Sequence, residues 1–368
     1  MTMQKSAKDY ANTWVRPEIQ ALNAYPVPNA QGMLKLDAME SPYVWPADEH
    51  MQQAWQQALQ AVAINRYPAA DAQELKQKLR QAFAIGDHWE ILLGNGSDEI
   101  IQLLALAVAG SGRSVLAPEP SFVMFKMIAT FVGMDYIGVP LNTDFSLDLQ
   151  SMLTQIRTHQ PALIFLAQPN NPTGNLYGEA AIAEILQTAQ GLVVLDEAYT
   201  AFTDADYLPW LEKYPNLVVM RTLSKVGLAG LRLGFLVGAP AWINEIEKLR
   251  LPYNINTLTQ ASAVLALNYF DILKEQCQQI RQQREILSQA LIDLHPEIEV
   301  FASEANFILI RMAQAGVIFQ KLKEKGVLIK CLDGAHPLLH NCLRISVSTA
   351  EENQIFLQAF ASVLAQGD

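Results

Sequence analysis

One lysine, Lys225, stands in a stretch that could give its amine unusual chemistry. The stretch 221–234 follows the apolar run 217–220 and surrounds the lysine with hydroxyls, glycines and aliphatic residues between Arg221 and Arg232. A lysine after a strand is most often a solvated surface residue, because lysine is rarely buried unless it is paired. Where desolvation and nearby cations lower its pKa, however, the neutral amine can form a Schiff base with an aldehyde. Residues elsewhere in the chain must decide between these two interpretations.

Other residues match the remaining demands of an aldehyde cofactor such as pyridoxal 5'-phosphate. Asp196 follows the apolar run 192–195, and its carboxylate could keep a pyridine nitrogen protonated so that the ring withdraws electrons. Tyr199 and Asn171 could hydrogen-bond the phenolate oxygen of the ring. The catalytic residues predicted on this basis are Lys225, Asp196 and Tyr199.

A glycine turn at 94–99 is the predicted site for the phosphate of such a cofactor. A short strand leads into this turn and an apolar helix follows it, with Ser97 as the expected N-cap. The free N–H groups and the dipole at a helix start favour an anion. Glu99 stands where a dinucleotide fingerprint needs its third glycine, so a single phosphate is favoured, with an ordinary capped turn as the alternative. The residues predicted to hold the phosphate or stack on the ring are Gly96, Ser97, Asp98, Phe122, Thr222, Ser224 and Arg232.

Each of these residues also has an ordinary structural explanation. Asp196 and Glu197 could be an acidic pair at a helix start, Asn171 part of a turn, and Tyr199 and Phe122 core aromatics. Their joint occurrence in this order favours one cofactor site over separate structural roles.

Alternating strand and helix patterns predict an α/β domain with a mostly parallel sheet. Short apolar runs, each followed by polar residues, lie at 114–117, 134–139, 162–166, 192–195 and 217–220. Such sheets bind ligands beyond the carboxyl ends of their strands. Asn171, Asp196, Tyr199 and Lys225 all follow such ends, so we expect them to meet in one crevice.

The two ends of the chain differ from this pattern. After residue 240 long helical stretches predominate, and short strands at 298–302, 307–311, 327–330 and 343–347 predict a smaller α+β domain. Residues 10–45 contain several prolines and are predicted to be irregular, with 33–36 as the only strand-like piece. We therefore expect a large cofactor-binding domain over 46–252, with an arm over 1–45 that accompanies a small domain over 253–368.

The composition excludes several classes of protein. The net charge is -11 without a basic block, which disfavours nucleic-acid binding, and 51% hydrophobic residues exclude a disordered chain. No secretory signal or membrane-spanning run is evident, and the cysteines Cys277, Cys331 and Cys342 form no C-x-x-C pair. His336 and His340 lack a third ligand nearby, so no metal site is predicted. We expect a cytoplasmic enzyme without a membrane partner.

The motifs together resemble those of the fold type I pyridoxal-phosphate-dependent aminotransferases. The motifs are Gln168-Pro169-Asn170-Asn171-Pro172-Thr173-Gly174, Asp196-Glu197-Ala198-Tyr199, and Ser224-Lys225 with the later Gly230-Leu231-Arg232-Leu233-Gly234. With Arg66-Tyr67-Pro68, the turn 94–99 and Cys342-Leu343-Arg344-Ile345-Ser346, the chain from about residue 16 to its end is similar to the histidinol-phosphate aminotransferase family.

This resemblance implies a homodimer whose active sites lie at the subunit interface. Tyr67 would reach the cofactor phosphate of the partner subunit. Tyr25 matches a substrate-contacting tyrosine of the arm, Glu40 matches the Asn-Glu-Asn-Pro element, and Arg344 matches the arginine that grips the anionic group of the substrate. The substrate-binding residues implied are Tyr25, Glu40, Asn171, Asn306, Lys330 and Arg344.

The reaction implied is ping-pong transamination in histidine biosynthesis. L-Glutamate gives up its amino group to become 2-oxoglutarate, and imidazole-acetol phosphate receives it to become L-histidinol phosphate. Lys225, once displaced from the cofactor, would carry the proton between the two reacting carbons. An aromatic amino-acid aminotransferase and a threonine-phosphate decarboxylase of the same superfamily remain alternatives. A non-enzymatic cofactor-binding regulator is disfavoured, because the acidic chain has no room for a DNA-binding module.

Four departures from the family pattern bear on the substrate. Arg232 lies seven residues after Lys225, where eight is commoner, so its approach to the phosphate needs a structural test. Lys330 stands where many members have an arginine, which replaces a two-pronged donor by a point charge. The other two are Phe122 in place of a tyrosine, and Met39 and Ser41 in place of the asparagines beside the family glutamate.

Overall fold

A sheet of seven strands lies at the centre of the protein, in a computed structural model that describes residues 5–24 and 26–365. The strands of the described chain are β1 (Leu34–Lys35), β2 (Glu90–Gly94), β3 (Ser114–Glu119), β4 (Asp135–Pro140), β5 (Leu163–Ala167), β6 (Leu192–Asp196), β7 (Leu217–Thr222), β8 (Gly234–Gly238), β9 (Glu299–Val300), β10 (Phe307–Arg311), β11 (Val327–Leu328), β12 (Lys330–Cys331) and β13 (Cys342–Ser346). The α-helices are α1 (Ala7–Trp14), α2 (Pro17–Gln20), α3 (Glu49–Gln60), α4 (Gln73–Phe83), α5 (Ser97–Val108), α6 (Met124–Val132), α7 (Leu149–His159), α8 (Glu179–Thr188), α9 (Pro240–Glu247), α10 (Thr257–Asn268), α11 (Phe270–Leu294), α12 (Ala315–Glu324) and α13 (Ala350–Leu364).

The large sheet has the strand order β2-β8-β7-β6-β5-β3-β4. Strands from β7 to β4 run parallel to their neighbours, whereas β8 is antiparallel to both β7 and β2. Alternate residues of β6 pack into different cores, with Val193 and Leu195 on one face and Leu192 and Val194 on the other. Strands of this kind are continuous apolar runs because helices cover both faces of the sheet.

The carboxyl ends of β5, β6 and β7 lie side by side at one edge of the large sheet. Ala167 pairs with Asp196, which in turn pairs with Met220. Asn171, Tyr199 and Lys225 follow these ends in the chain. The parallel pairing therefore brings together residues that are far apart in sequence.

A second sheet, with the order β12-β13-β10-β9, is antiparallel and belongs to the C-terminal part of the chain. The long helix α11 precedes it and buries apolar residues at helical spacing, among them Leu273, Ile280, Leu287 and Leu291. Strand β1 of the N-terminal arm pairs in parallel with β11, so the arm is attached to this part of the molecule.

This topology confirms the predicted α/β class with a mostly parallel large sheet and a smaller α+β unit. The domain boundaries at 46–252, 1–45 and 253–368 stay a prediction, because one apolar core contains residues on both sides of them, for example Leu36, Phe235 and Phe307. No helix in the described part of the chain is both long and apolar enough to cross a membrane.

Two local predictions were wrong. Residues 10–45 were predicted to be irregular outside 33–36, but they contain α2 and most of α1. Ser6 and Asp9 start α1 with reciprocal side-chain to backbone hydrogen bonds. The run 327–330 was predicted as one strand, but it divides into β11 and β12. These two strands pair with different partners, β1 and β13, so the chain must change direction between them.

Candidate active site

A cavity of about 120 Å³, here called the inner cavity, lies beyond the carboxyl ends of β5, β6 and β7. The residues that line it include Met39, Ser97, Asp98, Phe122, Asn171, Asp196, Tyr199, Thr222, Ser224, Lys225 and Arg232. Apart from Met39, each of these was predicted from the sequence as a cofactor-binding residue. The fold thus brings residues from the sheet edge, the start of α5 and the arm into one place.

Lys225 is half-buried in the wall of the inner cavity. Its Nζ donates a hydrogen bond to the carbonyl oxygen of Ala38 at 3.2 Å and lies 5.7 Å from the centre of the Tyr199 ring. The surrounding protein removes water from the amine and lowers its pKa to about 8, and repulsion from Arg344 and Arg232 acts in the same direction. The amine is therefore closer to its neutral, nucleophilic form than that of an exposed lysine.

Asp196 ends β6 with a carboxylate that is almost fully buried. Burial raises its pKa to about 7, although its Oδ1 accepts a hydrogen bond from the backbone of Ala198 at 3.1 Å. The next acid, Glu197, pairs with Arg221 at 2.6 Å, so the carboxylate that lines the inner cavity is that of Asp196. A cation placed beside Asp196 would restore its charged form.

Tyr199 and Asn171 are joined by hydrogen bonds at the same edge of the sheet. The amide nitrogen of Asn171 donates to the Tyr199 hydroxyl at 3.1 Å, and that hydroxyl donates to the sulfur of Met39 at 3.4 Å. Arg344 donates to the Asn171 side-chain oxygen, which fixes the orientation of the amide. Two donors thus stand together where the sequence predicted contacts to a ring oxygen.

The helix α5 begins at the inner cavity with its first turn free of side-chain caps. Ser97 was predicted as the N-cap, but Gly96 holds that position with φ +85°, a conformation that glycine adopts without strain. A Cβ on Gly234 of β8 would come within 2.8 Å of the Ser97 nitrogen, so two glycines let sheet and helix approach closely. The helix start is therefore a cradle for an anion.

The loop from Lys225 to Arg232 is short, yet the Arg232 guanidinium reaches this cradle. Arg232 adopts φ +50°, and its side chain donates to the Ser224 hydroxyl at 3.4 Å. It also lies 3.8 Å from the Asp98 carboxylate, and a Cβ on Gly96 would come within 2.7 Å of it. The short loop thus places the Arg232 guanidinium beside the helix start.

A larger cavity of about 390 Å³, here called the outer cavity, adjoins the inner one. Its lining residues include Met39, Glu119, Phe122, Lys126, Tyr136, Asn171, Lys330, His336 and Arg344. Lys330 and Arg344 are paired residues on β12 and β13, so the small sheet places two cations side by side. Arg344 is further anchored by a hydrogen bond to the backbone oxygen of Asp37 at 2.9 Å.

Four predicted residues of the described chain do not line either cavity: Gly96, which lies at the helix start beside the inner cavity, Glu40, Tyr67 and Asn306. Asn306 is fully buried and donates to the backbone oxygen of Met39 at 2.9 Å, so it supports the arm. Glu40 is half-exposed and pairs with Lys35. Tyr67 is 80% exposed and stacks on Tyr253 at a ring distance of 4.5 Å. Tyr25 lies outside the described residues.

The sequence analysis missed several residues near the cavities, among them Met39 and Ser346. Met39 was noted as a departure from the family pattern but not as part of the site, and it lines both cavities. Ser346 accepts a hydrogen bond from the Met39 backbone at 2.8 Å, a contact between residues 307 positions apart. The asparagine-to-methionine departure was the available signal for Met39, whereas no local pattern marks Ser346.

The residues of the inner cavity fit pyridoxal 5'-phosphate in their chemistry. The cradle at Ser97 and Arg232 suits a phosphate, the buried Asp196 suits a pyridinium nitrogen, and Lys225 suits an aldehyde. Each group of the ligand thus has a matching side chain or backbone group in this one cavity.

Comparisons with known proteins agree with this assignment. Residues 33–360 match the family model described as aminotransferase class I and II. The chain is 53% identical to histidinol-phosphate aminotransferase 2 of Nitrosococcus oceani, across 96% of this chain and 98% of that protein. It is 50% identical to the histidinol-phosphate aminotransferase of Chromobacterium violaceum, across 94% and 96% of the two chains.

A solved structure shows the same fold. The histidinol-phosphate aminotransferase of Sinorhizobium meliloti, determined in complex with pyridoxal 5'-phosphate, superposes with a TM-score of 0.84 at 24% identity, over 97% of this chain and 99% of that one. The family match and the close relatives together decide the classification. The chain belongs to the class I and II aminotransferases and, within them, to the histidinol-phosphate aminotransferase family.

Proposed function

We propose that the protein is a pyridoxal-phosphate-dependent aminotransferase that interconverts L-histidinol phosphate and 2-oxoglutarate with imidazole-acetol phosphate and L-glutamate. The observation that carries this function is the meeting of Lys225, Asp196, Tyr199 and Asn171 in one cavity beside a helix-start cradle. Its relatives at 53% and 50% identity bear the name of this activity. The reaction belongs to histidine biosynthesis.

The cofactor supplies an electron-withdrawing ring that stabilises negative charge at the carbon bearing the amine. Asp196 would keep the ring nitrogen charged, since its carboxylate is buried and gains a cation there. Tyr199 and Asn171 would donate to the ring oxygen, and Phe122 would cover a ring face. The backbone at Gly96, Ser97 and Asp98 would hold the phosphate together with Thr222, Ser224 and Arg232.

Lys225 has two tasks in this proposal. Its lowered pKa, about 8, raises the share of neutral amine, which is the form that would attach to the cofactor aldehyde. Once free of the cofactor, the same Nζ would accept the proton that leaves the substrate Cα and deliver it to the second reacting carbon. Burial keeps bulk water away from this proton.

Recognition of the substrate phosphate is assigned to Arg344 and Lys330. They are adjacent on paired strands and line the outer cavity, so an anion there meets a two-pronged donor and a point charge. Glutamate would place its carboxylate on the same cations in the other half-reaction. The buried amide of Asn306 holds Met39 of the arm and thereby shapes the cavity wall.

We further propose a homodimer in which Tyr67 of each subunit completes the site of the other. Tyr67 lies outside both cavities of its own chain, and its exposed ring stacks on Tyr253. Mixing inactive Lys225→Ala and Tyr67→Ala subunits tests this arrangement. Each hybrid then has one intact site, so about a quarter of the wild-type activity should return. No recovery, with mixing verified by mass, would contradict the shared site.

The cytoplasm is the proposed location. Cys277, Cys331 and Cys342 are all unpaired, as in a reducing compartment. Fractionation of cells with an antibody to the protein would test this.

Side-by-side turnover tests the proposed function. Purified holoenzyme is given L-histidinol phosphate, L-phenylalanine or L-threonine phosphate, each with 2-oxoglutarate, and kcat/KM is measured. L-Histidinol phosphate should be the best amino donor, and its rank as the poorest would refute the assignment. Release of carbon dioxide from threonine phosphate would favour the decarboxylase. Borohydride treatment should fix the cofactor on the peptide that contains Lys225, and Lys225→Ala is the control.

A further inference from the structure

Three residues, Met39, Phe122 and Asn171, line both the inner and the outer cavity. We call this group the neck. Phe122 and Asn171 lie near the ends of β3 and β5 in the large sheet, whereas Met39 comes from the N-terminal arm. Any molecule that occupies both cavities must therefore pass between the arm and the sheet, against the side chain of Met39.

The backbone of Met39 is held in place on both sides. Its N–H donates to the Ser346 hydroxyl at 2.8 Å, and its carbonyl accepts from Asn306 at 2.9 Å. The preceding carbonyl, of Ala38, accepts from Lys225 at 3.2 Å. Met39 has φ +55°, which is uncommon for a residue with a long side chain and persists only where the surroundings fix it. The direction of its side chain is thus set by contacts from distant elements.

The side chain of Met39 can rotate about its torsions, but its backbone is held in place. Its sulfur lies 3.4 Å from the Tyr199 hydroxyl, and the residue is 9% exposed. A methionine has flexible torsions and no branching, so it adapts to the shape of what lies beside it. The Met39 side chain therefore forms a part of the cavity wall that can change its shape but not its volume.

The proposed substrate must extend across the neck. Its reacting carbon has to approach Lys225 in the inner cavity, while its anionic group goes to Lys330 and Arg344 in the outer cavity. The ring-bearing side chain of the amine substrate then competes for space with the Met39 side chain. An apolar wall of this kind discriminates by about 10–200-fold for a change of one methylene.

We propose that Met39 is a specificity-determining residue that limits the bulk of the amine substrate. Its side chain occupies space where the two cavities meet, so removing volume there should admit a ring larger than imidazole, such as indole. This inference rests on the proposed function, because it concerns the amine which that reaction consumes.

Three amines that differ only in their ring test the proposal: L-histidinol phosphate, L-phenylalaninol phosphate and L-tryptophanol phosphate. Their kcat/KM values are compared in wild-type, Met39→Ala, Met39→Phe and Met39→Leu holoenzymes. Met39→Ala should raise the indole-to-imidazole ratio of kcat/KM at least about tenfold, and Met39→Phe should lower it. Met39→Leu conserves volume, so its indole-to-imidazole ratio of kcat/KM should stay within about threefold of the wild-type ratio.

Binding without turnover provides a second measurement. In the Lys225→Ala background, calorimetry gives the Kd of each amine with and without Met39→Ala. The preference among the rings should shift in the same direction as the kinetic ratio. Thermal unfolding of each variant identifies any loss of fold, and Met39→Phe still tests the idea if Met39→Ala is unstable.

The outcomes separate the two proposals. A wild-type enzyme that leaves L-histidinol phosphate unchanged would refute the proposed function. A wild-type enzyme that uses it, while Met39→Ala and Met39→Phe keep the ring preference of the wild type, would overturn the role of Met39 alone. Equal shifts in Met39→Leu and Met39→Ala would also overturn it, because volume would not be the cause.

Discussion

The inner and outer cavities differ in how their polar side chains are held. Asp196 ends the buried parallel strand β6, Asn171 follows the neighbouring strand β5, and both residues are less than 10% exposed. Lys330 lies on a strand of two residues in the small sheet, and the arm adds Met39 to the lining of the same cavity. The large sheet thus holds most of the residues assigned to the cofactor, whereas the small sheet and Met39 of the arm add to the cavity assigned to the rest of the substrate. In the proposed function, the shared chemistry and the choice of substrate therefore depend largely on different parts of the structure.

Replacing Asp196 should lower activity more than replacing Arg344 or Lys330. A small loss would contradict the assignment of the inner cavity to the cofactor. Asp196→Asn keeps the shape but cannot hold a charge on the ring nitrogen, so kcat should fall by about 10²–10³-fold for every amino donor. Steady-state kinetics with L-histidinol phosphate and L-glutamate measure this. An unequal loss, strong for one donor and absent for the other, would place Asp196 in substrate selection.

Replacing Arg344 should raise KM more than it lowers kcat. Arg344→Ala removes a buried cation from the outer cavity, and we expect a rise of about 10² in KM for L-histidinol phosphate. Arg344→Lys keeps the charge but loses the fork that reaches Asn171 and Asp37, so it should recover the loss only in part. A fall in kcat with KM unchanged would contradict an anion-binding role.

Lys330 should contribute less, because its side chain is only partly buried. Lys330→Ala should raise KM for L-histidinol phosphate by about 2–5-fold. Lys330→Arg should lower KM, since a guanidinium offers two parallel donors to a phosphate. The KM for a donor without an anionic group beyond its α-carboxylate would serve as the control. Equal changes for both donors would argue against phosphate recognition.

The smallest expected effect is a pH dependence of stability in the apoprotein. Burial raises the pKa of Asp196 from 3.8 to about 7, so the unfolded chain releases this proton at lower pH than the folded one. The free energy of unfolding from this group therefore falls as pH rises between these values. Lys225, lowered from 10.5 to about 8, gives the opposite slope at higher pH. Thermal unfolding of Asp196→Asn should show a shallower decline towards neutrality than wild type, and Lys330→Met should match wild type.

The inner cavity was largely predictable because its determinants are local. Apolar runs such as 192–195 indicate buried parallel strands. Polar residues at the carboxyl ends of such strands lie together at one edge of the sheet. The turn at Gly96 was also predictable, because glycines stand there between a short apolar strand and an apolar helix. The approach of Arg232 did not follow from spacing alone, since the left-handed backbone at this residue depends on how the short loop packs.

The outer cavity was less predictable because its determinants are distant in sequence. The division of 327–330 depends on pairing with β1 and β13, and the position of Met39 depends on Ser346 and Asn306. Tyr67 was assigned by resemblance, and its own chain offers it no cavity. Long-range pairing of this kind leaves no trace in local periodicity.

The close approach of Gly234 to Ser97 has a consequence for synthesis of the chain. Strand β2 precedes the cradle, but it pairs with β8, which emerges from the ribosome about 140 residues later. Until β8 inserts between β2 and β7, the helix start has no wall behind it. The cofactor should therefore bind only after the central sheet is complete. A nascent chain that stops before Gly234 should not retain the cofactor.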